Sequence, residues 1–332
     1  MNFKTTLLSS AVLFALVGCG SDNDKKETVD PQPQTAQFTL GVSDAPVTGL
    51  KAVNVVFDSI TLKSQGGEEF TFETREQNDE TMPEMVNLLD YTGDDIFSLL
   101  EDEEVPAGDY QWIRADVING DTNDLTMTSH VVYEDDSIAP LVVKRKGNDG
   151  IGEIQLDGFT LNQAGNDFVL EFDLKKSLVD PQNSDEIFLK PRGVRLENLA
   201  ESQDIEGTVS EELIAFCETD NIDIAMTDGS FGHAVYLYNS DIEMPMDNYE
   251  VSEDDTPADA PLATANVVFD NEDNQYEFEL AFVKPGDYQL AYTCAAHIDD
   301  AETQDEAFNL YQVKPITVTA GEDLDVSFTV SE

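Results

Sequence analysis

The chain has 332 residues, enough for two ordinary domains, and 40% of them are hydrophobic, far more than a disordered protein contains. It carries 69 Asp and Glu residues against 17 Lys and Arg residues, a formal net charge of −52. Such a surface repels nucleic acid and anionic lipid headgroups, so we predict no nucleic-acid partner. The simplest interpretation of this charge is a well-solvated surface that keeps the protein soluble.

The first residues have the pattern of a bacterial secretion signal. Lys4 precedes an apolar run at residues 7–16, which is too short to span a bilayer. The run ends in Leu16-Val17-Gly18-Cys19, which resembles the lipobox of bacterial lipoproteins. The resemblance implies removal of residues 1–18, acylation of Cys19 (palmitate included) and stable anchoring in the membrane. The alternative is an ordinary signal peptide with a chance cysteine.

The residues after Cys19 refine the expected location. Gly20 follows the cysteine, where an aspartate would resemble an inner-membrane retention signal, so we predict outer-membrane anchoring without choosing a face. Residues 19–35 contain almost nothing apolar and predict a disordered tether. Beyond them we predict an all-β chain of two sandwiches, immunoglobulin-like or prealbumin-like, at residues 36–200 and 204–332.

Runs of β-branched and aromatic residues predict the strands of the first domain. Strands are predicted at residues 36–42, 52–63, 69–73, 108–118, 125–133, 141–144, 168–174 and 187–196. The apolar stretch at residues 82–100 fits either short strands or one helical turn, because its periodicity favours neither.

One turn occurs twice along the chain. Val105-Pro106-Ala107-Gly108-Asp109-Tyr110 returns as Val283-Lys284-Pro285-Gly286-Asp287-Tyr288. Proline presets one turn torsion and glycine tolerates torsions that other residues avoid, so each copy predicts a tight turn that begins a strand.

An ordered set of segments in the first domain points to a family. Gly41-Val42-Ser43-Asp44-Ala45-Pro46 and residues 53–62 come first, followed by the first copy of the turn with Ile113-Arg114. Phe172-Asp173-Leu174-Lys175-Lys176-Ser177 and Leu189-Lys190-Pro191 complete the set. In this order they resemble domain of unknown function family 4382, which is common in bacterial lipoproteins, over residues 36–198. The resemblance implies a β-sandwich-like domain in the cell envelope and brings no activity or ligand with it.

The second predicted domain is more acidic than the first. Strands are predicted at residues 205–214, 233–238, 265–269, 275–282, 288–295, 311–318 and 324–330, with a polar loop at 244–262. The repeated turn, Gly207 and Val318-Thr319-Ala320-Gly321-Glu322 loosely resemble carboxypeptidase-regulatory or transthyretin-like modules.

Cysteine usage fits an oxidising compartment. With Cys19 acylated, Cys217 and Cys294 remain, and we predict a disulfide between them. Two reduced, buried thiols are the alternative.

The sequence shows no pattern typical of catalytic or cofactor chemistry. His130, His233 and His297 lack zinc-site spacing, and no nucleophile elbow or phosphate loop is present. The oxygen-rich clusters at residues 119–124 and 270–274 lack the glycine and distal glutamate of an EF-hand and are interpreted as hairpin turns. We therefore predict no cofactor, no metal site and no enzyme.

The few cations are unevenly distributed and give one candidate site. If their strands adjoin, they form an anion patch that binds a glycan or another copy's acidic domain. The patch residues are Arg114, Lys144, Arg145, Lys146, Lys175, Lys176, Lys190, Arg192 and Arg195. The alternative is that each cation compensates neighbouring carboxylates.

Together these features predict an outer-membrane lipoprotein that acts as a non-catalytic binding, adhesion or structural module. Its partners would be the membrane, through the N-terminal lipid, and an envelope protein or glycan; the oligomeric state is left open. A carbohydrate-binding accessory protein is one alternative, with Tyr236, Tyr238 and Tyr249 as candidate sugar-stacking residues. An enzyme of unrecognised type is the other.

Overall fold

The computed structural model describes residues 34–45, 49–76, 79–145, 147, 151–181, 184–248, 259–301, 303 and 307–330. The signal segment, Cys19 and the predicted tether lie outside these residues, as do Pro46, Lys146 and Tyr249. Strands dominate the described part of the chain, which confirms the all-β prediction. None of its helices has both the length and the apolar character needed to cross a membrane.

Two sheets build the first sandwich. Its described strands are β1 (Thr35–Ala45), β2 (Leu50–Ser64), β3 (Glu69–Glu73), β4 (Arg75–Glu76), β5 (Asp79–Asn87), β6 (Phe97–Pro106), β7 (Gly108–Val117), β8 (His130–Tyr133), β9 (Ile138–Val142), β10 (Gly152–Leu161), β11 (Asp167–Asp173), β12 (Leu178–Val179), β13 (Ile187–Leu189) and β14 (Val194–Asn198). One sheet has the strand order β14-β11-β1-β6, and the other has the order β10-β7-β2-β8-β9-β13-β12. In the second sheet β3 and β5 also pair with β2, and β4 pairs with β5.

The core of this sandwich lies between the two sheets. Phe38 of β1 contacts Phe159 of β10, and Phe57 of β2 contacts Phe172 of β11, at ring-centroid distances of 6.2 and 6.3 Å. Alternate residues of β1 are buried up to Leu40, because successive side chains of a strand point to opposite faces. From Gly41 onward every described residue of β1 is buried, so both faces of this end of the strand are covered.

The second sandwich follows after a short turn. Its described strands are β15 (Gln203–Val209), β16 (Ala234–Asn239), β17 (Ala263–Asn266), β18 (Val268–Asp270), β19 (Gln275–Val283), β20 (Gly286–Thr293), β21 (Gln312–Val318) and β22 (Leu324–Phe328). They form two sheets, β18-β19-β15-β22 and β17-β16-β20-β21. Ile205 and Phe278 on one sheet share a buried core with Leu237 and Tyr292 on the other. The two sandwiches belong to one compact unit, residues 34–332.

Two helices interrupt the predicted strands. β11 ends at Asp173, where the one-turn helix α1 (Leu174–Ser177) begins, although a strand was predicted through residue 174. Helix α2 (Glu211–Asp220) occupies residues that were predicted as the end of a strand. The Ser210 side chain accepts a hydrogen bond from the Leu213 amide, which ends the extended backbone and caps α2. The stretch at 82–100 contains the end of β5, a 3-10 turn (Leu88–Asp90) and the start of β6.

Both copies of the repeated turn connect two strands and have the same tyrosine hydrogen bond. Each lies between two strands, β6 and β7 or β19 and β20, and Gly108 has a φ of +140° that favours glycine. The Tyr110 hydroxyl donates to the Pro106 carbonyl at 2.8 Å, and the Tyr288 hydroxyl donates to the Lys284 carbonyl at 2.9 Å. In each copy a tyrosine thus ties its strand to the turn four residues earlier.

Candidate functional site at the junction of the two sandwiches

Two of the family-like segments meet in space. β1 and β11 are parallel neighbours, with Ser43 in register with Glu171 and Ala45 in register with Asp173. Asp44 is in register with Phe172, so its side chain points to the core face of the sheet, whereas those of Glu171 and Asp173 point to the opposite face. All three residues are buried. The carboxylate of Asp173 also caps α1 by accepting from the Lys176 amide at 3.1 Å.

Asp173 connects the first sandwich to the second. The amide and the hydroxyl of Thr264, at the edge strand β17, both donate to its carboxylate at 2.9 Å. Asp173 is 1% and Thr264 is 3% exposed, so water does not compete for these hydrogen bonds. The contact joins residues that are 91 positions apart in sequence.

Four cations of the first sandwich donate to backbone carbonyls of the second. They are placed by α1, by the 3-10 turn Pro191–Gly193 and by β14. The donor and acceptor pairs are Lys175 with Ala296, Lys176 with Pro261 at 2.9 Å, Arg192 with Ala301 at 3.2 Å and Arg195 with Ala281 at 3.4 Å. A buried cation is costly unless it is paired, and these carbonyl oxygens supply part of that pairing.

Carboxylates complete the pairing of these cations. Arg195 forms ion pairs with Glu171 and, at 3.4 Å, with Glu197, both of which are almost inaccessible. Glu197 also forms an ion pair with Lys284 of the second sandwich, at 2.9 Å. The junction is therefore a buried charge network in which both sandwiches take part.

Burial shifts the acid–base behaviour of this network. Desolvation raises the pKa of Glu171 to about 7, although the neighbouring Arg195 favours the ionised form. Desolvation likewise raises the pKa of Asp173, while Lys176 opposes the rise. The pKa values of Lys175 and Lys176 are lowered by burial, which Asp299 and Asp173 respectively oppose.

An apolar contact lies beside the charges. Phe282 of β19 is buried against Val169 of β11 in a small cluster that includes Ala281. Phe282 has a φ of +58°, an unusual conformation for a bulky residue, at a bulge in the β15–β19 ladder. The carboxylate of Asp204 accepts from the Phe282 amide at 2.9 Å and helps to hold this conformation.

A second polar contact joins the sandwiches at the turn before β6. The Glu279 carboxylate accepts from the Asp94 amide at 3.1 Å and lies against Gly93, where an added Cβ would be 2.2 Å from a carboxylate oxygen. Burial and the carboxylates of Asp94, Asp204 and Glu206 raise the pKa of Glu279 to about 7. This contact borders a cavity of about 560 Å³ whose lining includes five acidic residues of the second sandwich.

The cations of the predicted anion patch lie in several separate environments. Arg114 pairs with Asp116 at 2.9 Å, and Arg114 and Arg145 share Glu153 at 3.6 and 3.3 Å. The ammonium group of Lys144 lies 4.0 Å from the centre of the Phe188 ring. Lys190 is half-buried next to the Pro191–Gly193 turn, and Lys146 lies outside the described residues. These contacts are to groups of the protein itself, and the binding of an anion by this set stays a prediction.

The structure tests the predictions for the cysteines and for two of the tyrosines. Cys217 of α2 and Cys294 form the predicted disulfide, which is confirmed. Tyr236 and Tyr238 are fully buried, their hydroxyls donating to Asp299 and to the Met246 carbonyl, so their proposed role in stacking on sugars is wrong. They are core residues because β16 is covered on both faces.

Two of the histidines and the acidic turn at β18–β19 lie at different places in the second sandwich. The ring of His297 bridges the Gly232 amide and the Ile224 carbonyl, and His233 lies between Tyr292 and Glu218. Among the described residues, Asp270, Asp273 and Glu277 are the only group of three or more acidic, histidine or cysteine residues with ligand atoms within 4.8 Å of one another. They lie at the β18–β19 hairpin, where the sequence predicts a turn.

Several residues of the junction carried no predicted role. Asp173 belongs to a family-like segment, and the sequence signal was its position at the end of an apolar strand. Thr264, Phe282 and Glu279 gave no signal, because only the tertiary fold brings them to the first sandwich.

Comparison with known proteins supports the family resemblance. Residues 35–191 match the family described as domain of unknown function DUF4382, which confirms the resemblance predicted from the sequence. A search of curated proteins found no match.

Solved structures show only distant similarity. The TIE protein of Bacillus anthracis is 10% identical with a TM-score of 0.17, and the match covers 89% of this chain and 34% of that one. The major pilin subunit of Bacillus cereus is 12% identical over 90% of this chain and 69% of that one, with a TM-score of 0.19. A candidate cell adhesion protein of Bacteroides fragilis is 10% identical over 89% and 90% of the two chains, with a TM-score of 0.21. The chain thus spans about a third of the length of the Bacillus anthracis protein.

Proposed function

We propose that the chain is a lipid-anchored protein of the bacterial envelope whose two sandwiches work as one non-catalytic adhesion or structural unit. The observation that supports this role is the junction, where four cations of one sandwich donate to backbone carbonyls of the other. A buried contact of this kind resists relative motion of the two sandwiches, which suits a rigid spacer better than a hinged binding protein. Anchoring would come from acylated Cys19, and delivery to the outer membrane follows from Gly20.

A genetic complementation test addresses this proposal. A strain that lacks the chain is expected to lose surface attachment or resistance to detergents, and the wild-type chain should restore it. The Cys19→Ala variant should leave the membrane fraction and fail to complement, whereas Ser21→Ala, two positions away, should behave as wild type. Full complementation by a soluble Cys19→Ala variant would contradict a role that depends on anchoring.

A further inference from the structure

The larger sheet of the first sandwich carries the only tryptophan of the chain, Trp112, on its outward face. Strands β3, β2, β7 and β10 are neighbours in that order at this end of the sheet. Leu62 of β2 and Ile113 of β7 are in register and belong to the buried core. Because successive side chains of a strand alternate between the two faces, Lys63 and Trp112, which are also in register, point away from the core.

The outward residues of these four strands form two rows across the sheet. In one row Lys63, Trp112 and Asp157 are in register, and in the other Arg114 and Gln155 are in register beyond Thr71. We call this set the Trp112 face; its members are Lys63, Thr71, Trp112, Arg114, Gln155 and Asp157. Trp112 is half-buried, and the side chains of Lys63 and Arg114 keep 28% and 25% of their surface exposed. The face is therefore in contact with solvent.

Two cations stand beside the Trp112 indole, and each is held by a carboxylate. The Lys63 ammonium lies 5.5 Å from the ring centre and the Arg114 guanidinium 5.4 Å from it. Glu69 pairs with Lys63 and Asp116 pairs with Arg114, each at 2.9 Å. Both distances to the ring exceed the contact distance of about 3.5–4.0 Å, so neither cation rests on the centre of the ring. Together with the remaining exposure of Trp112, this leaves part of the indole available to a ligand.

Two uncharged members of the Trp112 face are held in fixed positions. The hydroxyl of Thr71, which is exposed, shares a 3.0 Å hydrogen bond with the hydroxyl of the buried Thr61. The side-chain oxygen of Gln155 accepts from Arg145 at 2.9 Å. A hydroxyl and a carboxamide each donate and accept hydrogen bonds, and groups that are already ordered lose less side-chain entropy when a ligand binds.

The charge of this region differs from that of the whole molecule. Lys63, Arg114 and Arg145 each have a carboxylate partner, and these three pairs together with Asp157 sum to −1. The whole chain, in contrast, carries −52. A polyanion is repelled by the molecule, and a polycation finds far more carboxylates elsewhere on it. The charge therefore favours an uncharged ligand at the Trp112 face.

We propose that the Trp112 face binds a neutral polysaccharide of pyranose units. A pyranose ring presents a face of C–H groups that packs on an indole, and its hydroxyl groups exchange hydrogen bonds with guanidinium, carboxylate and carboxamide groups. The Trp112 face offers both kinds of contact side by side. It is a different site from Tyr236 and Tyr238, which are buried. The inference goes beyond the proposed envelope role and does not depend on anchoring at Cys19.

The fluorescence of Trp112 reports on this face alone, because the chain has no other tryptophan. The full chain, in a detergent without a sugar headgroup, is titrated with cellohexaose, with the hexamer of N-acetylglucosamine and with hexagalacturonate as a charged probe. We expect at least one neutral hexasaccharide to change the fluorescence saturably and to protect Trp112 from quenching by acrylamide. Titration calorimetry measures the same binding without relying on the tryptophan.

Three variants locate the binding. Trp112→Ala should weaken the calorimetric affinity about tenfold, the size of effect expected for loss of an aromatic contact. Arg114→Gln, which keeps a hydrogen-bonding group and removes the guanidinium, should weaken it less. Phe216→Ala removes an aromatic side chain that is 46% exposed on α2 of the second sandwich, and this control should bind as the wild type does.

Each outcome supports or overturns the proposal. Absence of binding of all three probes in both measurements overturns it, and so does a folded Trp112→Ala variant with wild-type affinity. Tighter binding of hexagalacturonate than of both neutral probes overturns the neutral ligand in favour of an anion site. If Trp112→Ala does not fold, Arg114→Gln and the quenching of the wild type still decide. Attachment and complementation assays do not enter the test, so a failed envelope role would leave the result standing.

Discussion

The tyrosine of each repeated turn is the smallest feature that the two sandwiches share. Tyr110 is almost fully buried and Tyr288 is half-buried, yet each hydroxyl donates to the carbonyl four residues earlier. The sequence predicted the turn, because proline fixes one backbone torsion and glycine tolerates torsions that other residues avoid. It did not predict the hydrogen bond, which requires the strand after the turn to fold back beside it.

The Tyr110→Phe variant tests the contribution of that hydroxyl. Removing it leaves the half-buried Pro106 carbonyl without this donor, and the free energy of unfolding should fall by about 1 kcal/mol. Urea unfolding monitored by circular dichroism measures the change. Tyr311→Phe, which removes a hydroxyl that bonds Asp220 at an exposed site, serves as control and should cost clearly less. Equal costs would show that burial of the Tyr110 hydrogen bond has no energetic weight.

Phe282 combines an unfavourable backbone conformation with a favourable side-chain contact. Its φ of +58° costs about 1–2 kcal/mol for a residue other than glycine. Phe282→Ala would remove the ring and keep this strain, whereas Phe282→Gly would remove both. We therefore expect both variants to be destabilised, with the glycine variant more stable than the alanine variant by about 1 kcal/mol. The reverse order in urea unfolding would mean that the backbone at this bulge relaxes when the ring is lost.

At the scale of elements, α2 is fixed to the second sandwich by the Cys217–Cys294 disulfide. Both sulfurs are buried, and the bridge links residues 77 positions apart. On the chain-entropy account, such a bridge stabilises the fold by about 4 kcal/mol. Urea unfolding with and without reductant should show a loss of this order, and the reduced, denatured chain should migrate more slowly than the oxidised one in gels. Cys217→Ala should match the reduced protein; an unchanged midpoint would contradict the account.

Helix α1 positions the junction, and Lys176 tests its role. Lys176→Met removes the ammonium group that contacts the Pro261 carbonyl and leaves Asp173 buried with less compensation. Loss of one partner from a buried network costs about 3–5 kcal/mol. Lys51→Met, which breaks an exposed pair with Asp136, should cost less than about 1 kcal/mol. A Lys176 variant as stable as the Lys51 variant in urea would indicate that the network contributes little.

Sequence patterns predict the elements unevenly, for physical reasons. β1, β2, β3 and β19 follow from β-branched and aromatic runs, since alternation and residue type act locally. β10 was not predicted, because Gly152 and Gly158 interrupt its strand pattern. At Gly158 an added Cβ would lie 2.5 Å from the Tyr110 carbonyl oxygen, so the glycine permits close packing of β10 on β7. α2 was missed because its leucine and isoleucine extended the preceding strand pattern, although Ser210 before two glutamates is a helix-start signal.

At the scale of the whole molecule, the fold class was predictable and the junction was not. Two cores arise from runs of apolar residues that the sequence displays. The junction arises from contacts such as Lys176 with Pro261 and Asp173 with Thr264, 85 and 91 positions apart. For the same lysines and arginines the sequence left open either one anion patch or compensation of neighbouring carboxylates, because it shows their number but not which groups the fold places against them.

The net charge of −52 acts on the molecule as a whole and yields a final prediction. Crowded surface carboxylates repel one another more in the compact folded state than in the expanded unfolded chain, so self-repulsion lowers stability. Salt screens this repulsion, because the screening length falls from about 30 Å at 0.01 M to about 10 Å at 0.1 M. Thermal unfolding at neutral pH should therefore shift upward by several degrees between 10 mM and 500 mM NaCl.

An uncharged osmolyte and a matched pH series separate screening from other effects of the salt. Sucrose at equal osmolarity raises the melting temperature only by exclusion from the protein surface, so its effect should not depend on pH. The NaCl effect should shrink at pH 4, where many carboxylates are protonated and less charge remains to be screened. A melting temperature that falls with NaCl at neutral pH would show that buried and surface ion pairs, which salt also weakens, outweigh the self-repulsion. The sign of the shift thus decides whether repulsion or pairing dominates the electrostatics of this fold.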